Sequence, residues 1–253
     1  MLTRLAIATL MCSLSAMAEG TNTQAPQIPP APETLAKPKA VTPALVRVDA
    51  NTYRIGDVSL IPTKREIRFP GKVNMTDGLI EYLIVLKQGK VHEALFISEI
   101  SPTHLNLALK LLRYVPSPEL FSLMDEGHMT GVYPEVSPSI KSQARILMEV
   151  EWDDNGTTKR TAINEWIQNS NKATAMAPGP WLYTGADLQA GKFIPDLTGD
   201  IAAIMTVPTA MINYPGSDNG GETVWFPFPK RVPQLGTPVT LIITPHSISI
   251  PKP

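Results

Sequence analysis

Residues 79–99 read LIEYLIVLKQGKVHEALFISE and form the most strongly β-prone stretch of the chain. Two apolar segments, 79–87 and 90–99, flank Gln88-Gly89, a pair typical of a tight turn between antiparallel strands. This pattern predicts a hairpin in which Glu93 is the one charge on an otherwise apolar face of the sheet. A buried carboxylate must be paired, hydrogen-bonded or protonated, because burying it alone is costly. The residues that meet Glu93 therefore decide what this region does.

A helix is predicted directly after this hairpin, from Pro102 to about Tyr114. Ser101 suits the N-cap, and Pro102 suits the first helical position. Three of the helix's polar residues, Asn106, Lys110 and Arg113, form one narrow polar stripe. Because leucines cover most of the remaining surface, we expect a helix that is largely buried against the sheet.

His104 lies opposite that polar stripe, at the centre of the expected buried face. Because the helix must fold back over the sheet after Ser101, we expect His104 to contact Glu93, with the Tyr82 hydroxyl nearby. The candidate catalytic residues are Glu93, His104, His92 and Tyr82. One interpretation is a proton-transfer pair or a partial metal site. The other is a polar pair that fixes how the helix docks, since two histidines alone rarely complete a metal site.

A second candidate site is the segment Asn74-Met75-Thr76-Asp77-Gly78, which places amide and carboxylate groups among turn residues. Asn74 and Asp77 are therefore candidate ligand-binding residues. A turn with a purely structural role is the alternative interpretation.

The rest of the chain reads as short strands separated by proline and glycine. Asn155-Gly156 predicts a hairpin between 144–152 and 157–163, Pro70-Gly71 predicts a turn, and Pro116–Pro138 reads as an irregular loop. Together these features predict an α+β fold. It would consist of a mostly antiparallel β-sheet with one main covering helix, about residues 102–114, in a sandwich-like arrangement.

Residues 1–18 have the features of a cleavable signal peptide. Arg4 supplies the positive charge, Leu5–Ala16 forms a short apolar run, and Ala16-Met17-Ala18 suits cleavage by a signal peptidase. Residues 19–43 are rich in proline and predict an extended linker, and residues 44–253 predict a single β-rich globular domain. We therefore expect an exported protein, periplasmic or extracellular.

The composition argues against several kinds of site. Cys12 is the only cysteine and would leave with the signal peptide, so we predict no disulfide, no thiolate nucleophile and no metal or iron–sulfur cluster held by cysteine. We assign no cofactor and no metal ligands, and a metal site at Glu93, His104 and His92 belongs to the alternative interpretation only. The 22 basic and 23 acidic residues include no basic block of the kind that nucleic acid requires. No membrane span is expected after residue 18, because Pro208 interrupts the best candidate, Ile201–Ile212.

Several segments resemble one known family. FPGKVNMTDGLIEYL (residues 69–83) and GKVHEAL (89–95) are similar to YdjY-domain proteins, as are GPWLYTG (179–185), GDIAA (199–203) and TPVTL (237–241). The resemblance spans roughly Val46 to Pro251 and implies a bacterial, exported protein. It implies no activity or mechanism, and ferredoxin-like descriptions do not carry over to a mature chain without cysteine.

Two functions follow as hypotheses. The first is a module that binds an unknown protein or small-molecule ligand through its loops. The alternative is a metal- or acid/base-dependent enzyme centred on Glu93, His104 and His92. The sequence alone leaves open whether the protein is an enzyme.

Overall fold

The computed structural model describes residues 44–221 and 223–246. The chain divides into two units, Met1–Val41 and Thr42–Pro253, and every described residue belongs to the second. The predicted signal peptide, residues 1–18, and the predicted linker, residues 19–43, lie outside the described residues.

Strands dominate the described part of the chain. In chain order they are β1 (Val46–Arg47), β2 (Tyr53–Ile55), β3 (Val58–Ile61), β4 (Glu66–Val73), β5 (Tyr82–Leu86), β6 (Ala94–Ser98), β7 (Met124–Asp125), β8 (His128–Met129), β9 (Arg145–Asp154), β10 (Thr157–Ala162), β11 (Ile167–Asn169), β12 (Thr174–Ala175), β13 (Trp181–Tyr183), β14 (Leu188–Gln189), β15 (Lys192–Phe193), β16 (Asp200–Ala203), β17 (Ile212–Asn213), β18 (Trp225–Pro227) and β19 (Pro238–Pro245).

The helices are short by comparison. They are α1 (Pro102–Leu111), α2 (Pro138–Ala144) and α3 (Ile194–Thr198), with single 3-10 turns at Pro62–Lys64, Val91–Glu93 and Ile163–Trp166. Within residues 44–221 and 223–246, no helix has both the length and the apolar character that a membrane span requires.

The main sheet closes into an eight-stranded barrel. Its strands follow one another around the ring in the order β4, β19, β9, β13, β17, β16, β5 and β6, and β6 pairs back onto β4. The predicted sandwich-like α+β fold with a main covering helix is therefore wrong, because the sheet curls onto itself and the helices are minor elements.

The closure depends on a change of partner along β4. Its first half pairs with β3, and its last residues pair with β6, where Lys72 faces Ile97 and Val73 faces Phe96. Pro70-Gly71, which the sequence suggested as a turn, lies inside β4 between these two pairings. A Cβ on Gly71 would lie 2.8 Å from Leu241 Cδ1 and 3.3 Å from the Ile97 carbonyl oxygen. The missing side chain therefore lets β4 approach its neighbours closely where it changes partner.

The predicted hairpin across Gln88-Gly89 is also wrong. β5 and β6 run parallel, with Tyr82 opposite Ala94 and Leu86 opposite Ser98. Residues 87–93 carry the chain back, although parallel strands usually need a connection of about a dozen residues. Every residue of β5 is buried, which is typical of a strand covered on both faces rather than of a half-exposed hairpin arm.

One large apolar cluster fills the barrel. Alternate residues of β19 belong to it, and so do their ladder partners on β4 and β9, a set formed by Val239, Leu241, Ile243, Ile67, Phe69, Met148 and Val150. An eight-stranded barrel has an interior just wide enough for side chains to fill. The interior is therefore a packed core.

The helix α1 begins where the sequence predicts, with the Ser101 hydroxyl accepting a hydrogen bond from the His104 amide at 3.4 Å. It ends at Leu111, earlier than expected, and its buried residues are Pro102, Leu105, Ala108 and Leu109. The buried face is therefore centred one position beyond His104, which is only half-buried. The hairpin at Asn155-Gly156 is confirmed, since Thr157 pairs with Asp154.

We predict that Gly199→Ala destabilises the protein far more than Gly156→Ala. Both glycines have a positive φ, 84° and 82°, so both substitutions strain the backbone, by about 1 kcal/mol or more. A Cβ on Gly199 would also lie 2.8 Å from Gly89 Cα, whereas nothing lies within 4 Å of a Cβ on Gly156. Urea unfolding should show at least about 2 kcal/mol of additional loss for Gly199→Ala. Equal losses would contradict the close crossing of residues 87–93 over this turn.

We also predict an alkaline loss of stability that depends on Tyr183. Burial raises the pKa of Tyr183 to about 12, from an ordinary value of 10.0. Between these two pH values the unfolded chain has released the proton and the folded chain has kept it, so the free energy of unfolding falls as the pH rises.

The matched variant is Tyr183→Phe, which also removes the hydrogen bond that the hydroxyl donates to Asn106 Oδ1 at 2.5 Å. This variant should be less stable at pH 8 and should then lose less stability between pH 10 and 12. Denaturant titrations across this range measure both effects, and parallel curves for the two proteins would contradict the assignment.

Candidate functional site

Three of the four predicted catalytic residues lie around the connection between β5 and β6. Glu93 Oε1 lies 3.8 Å from Lys90 Nζ, and Glu93 Oε2 lies 3.9 Å from His92 Nε2. Lys90 Nζ in turn donates a hydrogen bond to the Tyr82 hydroxyl at 2.8 Å. The structure thus brings Glu93, His92 and Tyr82 together through Lys90, a residue that the sequence interpretation did not select.

His104 lies in a different environment. Its imidazole packs on the turn between β2 and β3, where a Cβ on Gly56 would lie 2.5 Å from His104 Nδ1. Within residues 44–221 and 223–246, no hydrogen bond or ion pair joins His104 to Glu93. The contact expected between these two side chains assumed a hairpin and a helix face that the structure does not have.

The ionisation of the Lys90–Tyr82 pair favours a structural role. Burial raises the pKa of Tyr82 above its ordinary value, and the hydrogen bond to Tyr82 raises the pKa of Lys90. At neutral pH the phenol is neutral and the amine is charged, whereas a general base works best with a pKa near the operating pH. Among the described residues, no group of three or more His, Cys, Asp or Glu side chains could hold a metal ion.

Asn74 also stabilises the connection between β5 and β6. Its Nδ2 donates hydrogen bonds to the carbonyl oxygens of Val91 and Ala94, at 2.6 and 2.7 Å. Asp77 lies exposed in the loop that follows β4. The structure therefore gives Asn74 a role in fixing residues 91–94, which the turn pattern alone did not show.

A larger feature lies away from these residues. It is a cleft of about 780 Å³, hereafter the apolar cleft, between residues 119–133 and residues 206–219. Its lining residues are Glu119, Leu120, Phe121, Ser122, Met124, Met129, Tyr133, Thr206, Pro208, Pro215, Gly216, Ser217 and Asn219. Glu119 is the only charged residue among them.

One wall of the apolar cleft is a small hairpin made by β7 and β8. Glu126 and Gly127 both have positive φ, 47° and 83°, as a tight hairpin turn requires. The Leu123 amide donates to the Val132 carbonyl oxygen at 2.8 Å and closes the base of this hairpin. The sequence interpretation read this whole segment as an irregular loop, and Glu126-Gly127 was the local signal that it missed.

The same hairpin exposes large apolar side chains. Met124, Met129 and Tyr133 are 61%, 78% and 58% exposed. Grouped apolar side chains on a surface usually mark a binding site, and methionine adapts to ligands of irregular shape. An ordinary solvated loop does not expose so many methionine and tyrosine side chains beside a cleft.

The opposite wall is fixed to the barrel. Thr206 follows β16, and its amide donates to the Asn219 carbonyl oxygen at 3.1 Å. Asn219 Nδ2 donates to the Tyr214 carbonyl oxygen at 3.2 Å, and the Tyr214 ring lies directly against Gly216. This wall is therefore held in place by hydrogen bonds and aromatic packing.

Two buried oxygen atoms belong to residues of the apolar cleft. Glu119 Oε1 accepts a hydrogen bond from Arg145 at 2.9 Å, while Glu119 Oε2 accepts none from the described residues and lies 3.9 Å from Lys141 Nζ. Thr206 Oγ1 is likewise buried without a hydrogen-bond partner among the described residues. Buried polar atoms in folded proteins are nearly always hydrogen-bonded, so these two stand out.

The fold and this geometry define a β-barrel protein with a packed interior and an apolar cleft on its surface. The chain belongs to the YdjY domain family, whose model matches residues 62–244. This match confirms the resemblance found in the sequence. No curated protein and no solved structure matches the chain.

We predict that Asn74→Ala lowers the free energy of unfolding by about 1–3 kcal/mol, because two carbonyl oxygens lose their donor. Asp77→Ala, in the same loop but exposed, is the control and should change stability by less than about 0.5 kcal/mol. Urea unfolding of the two variants measures the difference. If Asn74→Ala unfolds like the wild type, Asn74 does not hold the connection between β5 and β6.

Proposed function

We propose that this YdjY-domain protein is an exported module that binds a small, largely apolar ligand in the apolar cleft. The observation that carries the proposal is the cleft itself. It has a volume of about 780 Å³ and lies between the hairpin with its exposed methionines and the wall that is fixed to the barrel. Small-molecule sites in proteins typically have volumes of about 300–1,000 Å³ and mostly apolar linings. Export is supported by the sequence pattern of residues 1–18.

The packing of the barrel favours the surface cleft over an internal site. Many barrel proteins carry ligands inside, but here the interior side chains belong to a continuous buried core. Residues such as Phe69, Phe96 and Leu241 are 0–1% exposed. A ligand of appreciable size therefore has room at the cleft and none within the barrel.

The composition of the cleft favours a small molecule. Leu120, Phe121, Met124, Met129 and Tyr133 supply apolar and aromatic surface on one wall. The other wall adds Pro208 and Pro215, so an apolar body would have contacts on both sides. The alternative of an acid/base enzyme at Glu93, His92 and His104 has less support, because His104 is not joined to Glu93 and the Tyr82–Lys90 pair stays protonated at neutral pH.

We predict that the protein binds Nile red, a neutral dye whose fluorescence increases in apolar surroundings. The double substitution Met124→Glu and Met129→Glu places two charges at the cleft and should weaken binding by about tenfold or more, equivalent to about 1.4 kcal/mol. Both methionines are exposed, so the variant should fold normally. Fluorescence titration gives the dissociation constants.

The matched control is the double substitution Leu188→Glu and Leu235→Glu. These leucines are both 67% exposed and do not line the cleft. The control should bind Nile red as the wild type does. Absence of binding by the wild type, or an equal loss in both double variants, would refute the assignment of the cleft as the binding site.

A further inference from the structure

The methionines of the described residues differ widely in their access to solvent. Met124 and Met129, on the hairpin that forms one wall of the apolar cleft, are 61% and 78% exposed. Met148, Met176 and Met211 are buried in the packed core. An oxidant in solution therefore reaches the two cleft methionines first, because the susceptibility of a sulfur atom follows its exposure.

The two exposed methionines also lie side by side. Met124 on β7 pairs directly with Met129 on β8. Directly opposed residues of antiparallel strands project from the same side of the ladder, with their Cβ atoms about 5 Å apart. Both residues line the apolar cleft, so this side of the hairpin faces the cleft. A change in the polarity of the two side chains therefore alters one continuous patch of the cleft wall.

The sulfur chemistry of this part of the chain is that of methionine alone. Residues 44–221 and 223–246 contain no cysteine, so no thiol competes there for an oxidant. A hydroperoxide transfers one oxygen atom to a methionine thioether. An S–O bond forms, the O–O bond of the peroxide breaks, and the proton of the transferred hydroxyl moves to the leaving oxygen, which departs as water or an alcohol. The sulfur is oxidised to the sulfoxide, and the peroxide is reduced.

A sulfoxide on this wall opposes the binding of an apolar ligand. The reaction converts a flexible apolar side chain into a polar one, whose oxygen accepts hydrogen bonds from water. An apolar ligand that covers this oxygen removes the water and supplies no donor in its place, which costs free energy. Because both methionines belong to the same patch, the two sulfoxides act against the same ligand.

We propose that Met124 and Met129 form an oxidation site that regulates the apolar cleft. A small neutral hydroperoxide converts both thioethers to sulfoxides, and the cleft then releases its ligand. This proposal rests on the proposed function, since it concerns the regulation of the same site. A ligand bound in the cleft covers the two sulfur atoms and so protects them from the oxidant.

Peptide mass spectrometry after limited treatment with hydrogen peroxide tests the site itself. Met124 and Met129 should gain oxygen about tenfold faster, or more, than the three buried methionines. Saturation with Nile red should slow the oxidation of this pair by about threefold or more. Oxidation of Met75, which is half-buried and does not line the cleft, should not change with the dye. Equal oxidation of all methionines, or a rate that the dye leaves unchanged at Met124 and Met129, would overturn the proposal.

Nile red titration before treatment, and again after the peroxide has been removed, tests the effect on the cleft. The affinity of the wild type should fall by about tenfold. The double substitution Met124→Leu and Met129→Leu removes both sulfur atoms and keeps apolar side chains of similar volume. This variant should bind the dye as the wild type does and should keep its affinity after treatment. The matched control, Met75→Leu with Met205→Leu, replaces two half-buried methionines outside the cleft lining and should lose affinity as the wild type does.

The outcomes separate the two proposals. If the untreated wild type does not bind Nile red, the proposed function fails and regulation of the cleft by oxidation fails with it. If the dye binds equally well before and after both methionines are oxidised, the cleft is a ligand site and the oxidation proposal alone is wrong. The oxidation proposal is also wrong if the double leucine variant at Met124 and Met129 loses affinity on treatment, because the effect then arises elsewhere.

A second variant tests the role of polarity without an oxidant. Met124→Gln with Met129→Gln places two neutral polar side chains on the same patch, and both positions are exposed, so the variant should fold normally. It should bind Nile red about tenfold more weakly than the untreated wild type, as the oxidised protein does. Binding as tight as that of the untreated wild type would show that polarity at this patch does not regulate the cleft.

Discussion

The short pairing between β4 and β6 is the contact on which the whole molecule depends. Lys72 and Val73 face Ile97 and Phe96, and these positions turn an open sheet into a closed ring. The pairing requires β4 to leave β3 and turn toward β6 at Pro70-Gly71. Proline cannot donate a ladder hydrogen bond and glycine has no side chain, so both residues suit a strand that changes its pairing partner. A closed ring has no exposed edges, and it confines ligands to the outside once its interior is packed.

The polar residues between β5 and β6 are explained by this closure. Because β5 and β6 are parallel neighbours in the ring, the chain must return over the outside of the barrel within residues 87–93. Asn74, the Lys90–Tyr82 hydrogen bond and the close contact of Gly89 with Gly199 hold that short return in place. Side chains that suggest catalysis in the sequence can therefore serve to stabilise the short connection between β5 and β6. The apolar cleft has a different origin, because it forms where the loop after α1 meets the loop after β16.

The sequence predicts those features that depend on neighbouring residues. The N-cap at Ser101 and the hairpin at Asn155-Gly156 are local, and both are present in the structure. The ring is not local, since β19 pairs with β4 at the opposite end of the domain. Gln88-Gly89 carried the signal of a hairpin turn, whereas Gly89 is needed for its close approach to Gly199. The cleft joins Glu119 to Thr206, and no periodicity or spacing relates two such distant positions.

The position of β19 in the ring also determines when this protein can fold. This strand is the last of the barrel along the chain, yet it lies between β4 and β9. Until residues 238–245 have left the ribosome, the ring has a gap and the apolar faces of β4 and β9 have no neighbour between them. Folds dominated by such distant pairings form slowly, in about milliseconds to seconds. The ring can therefore close only after its final strand has been synthesised.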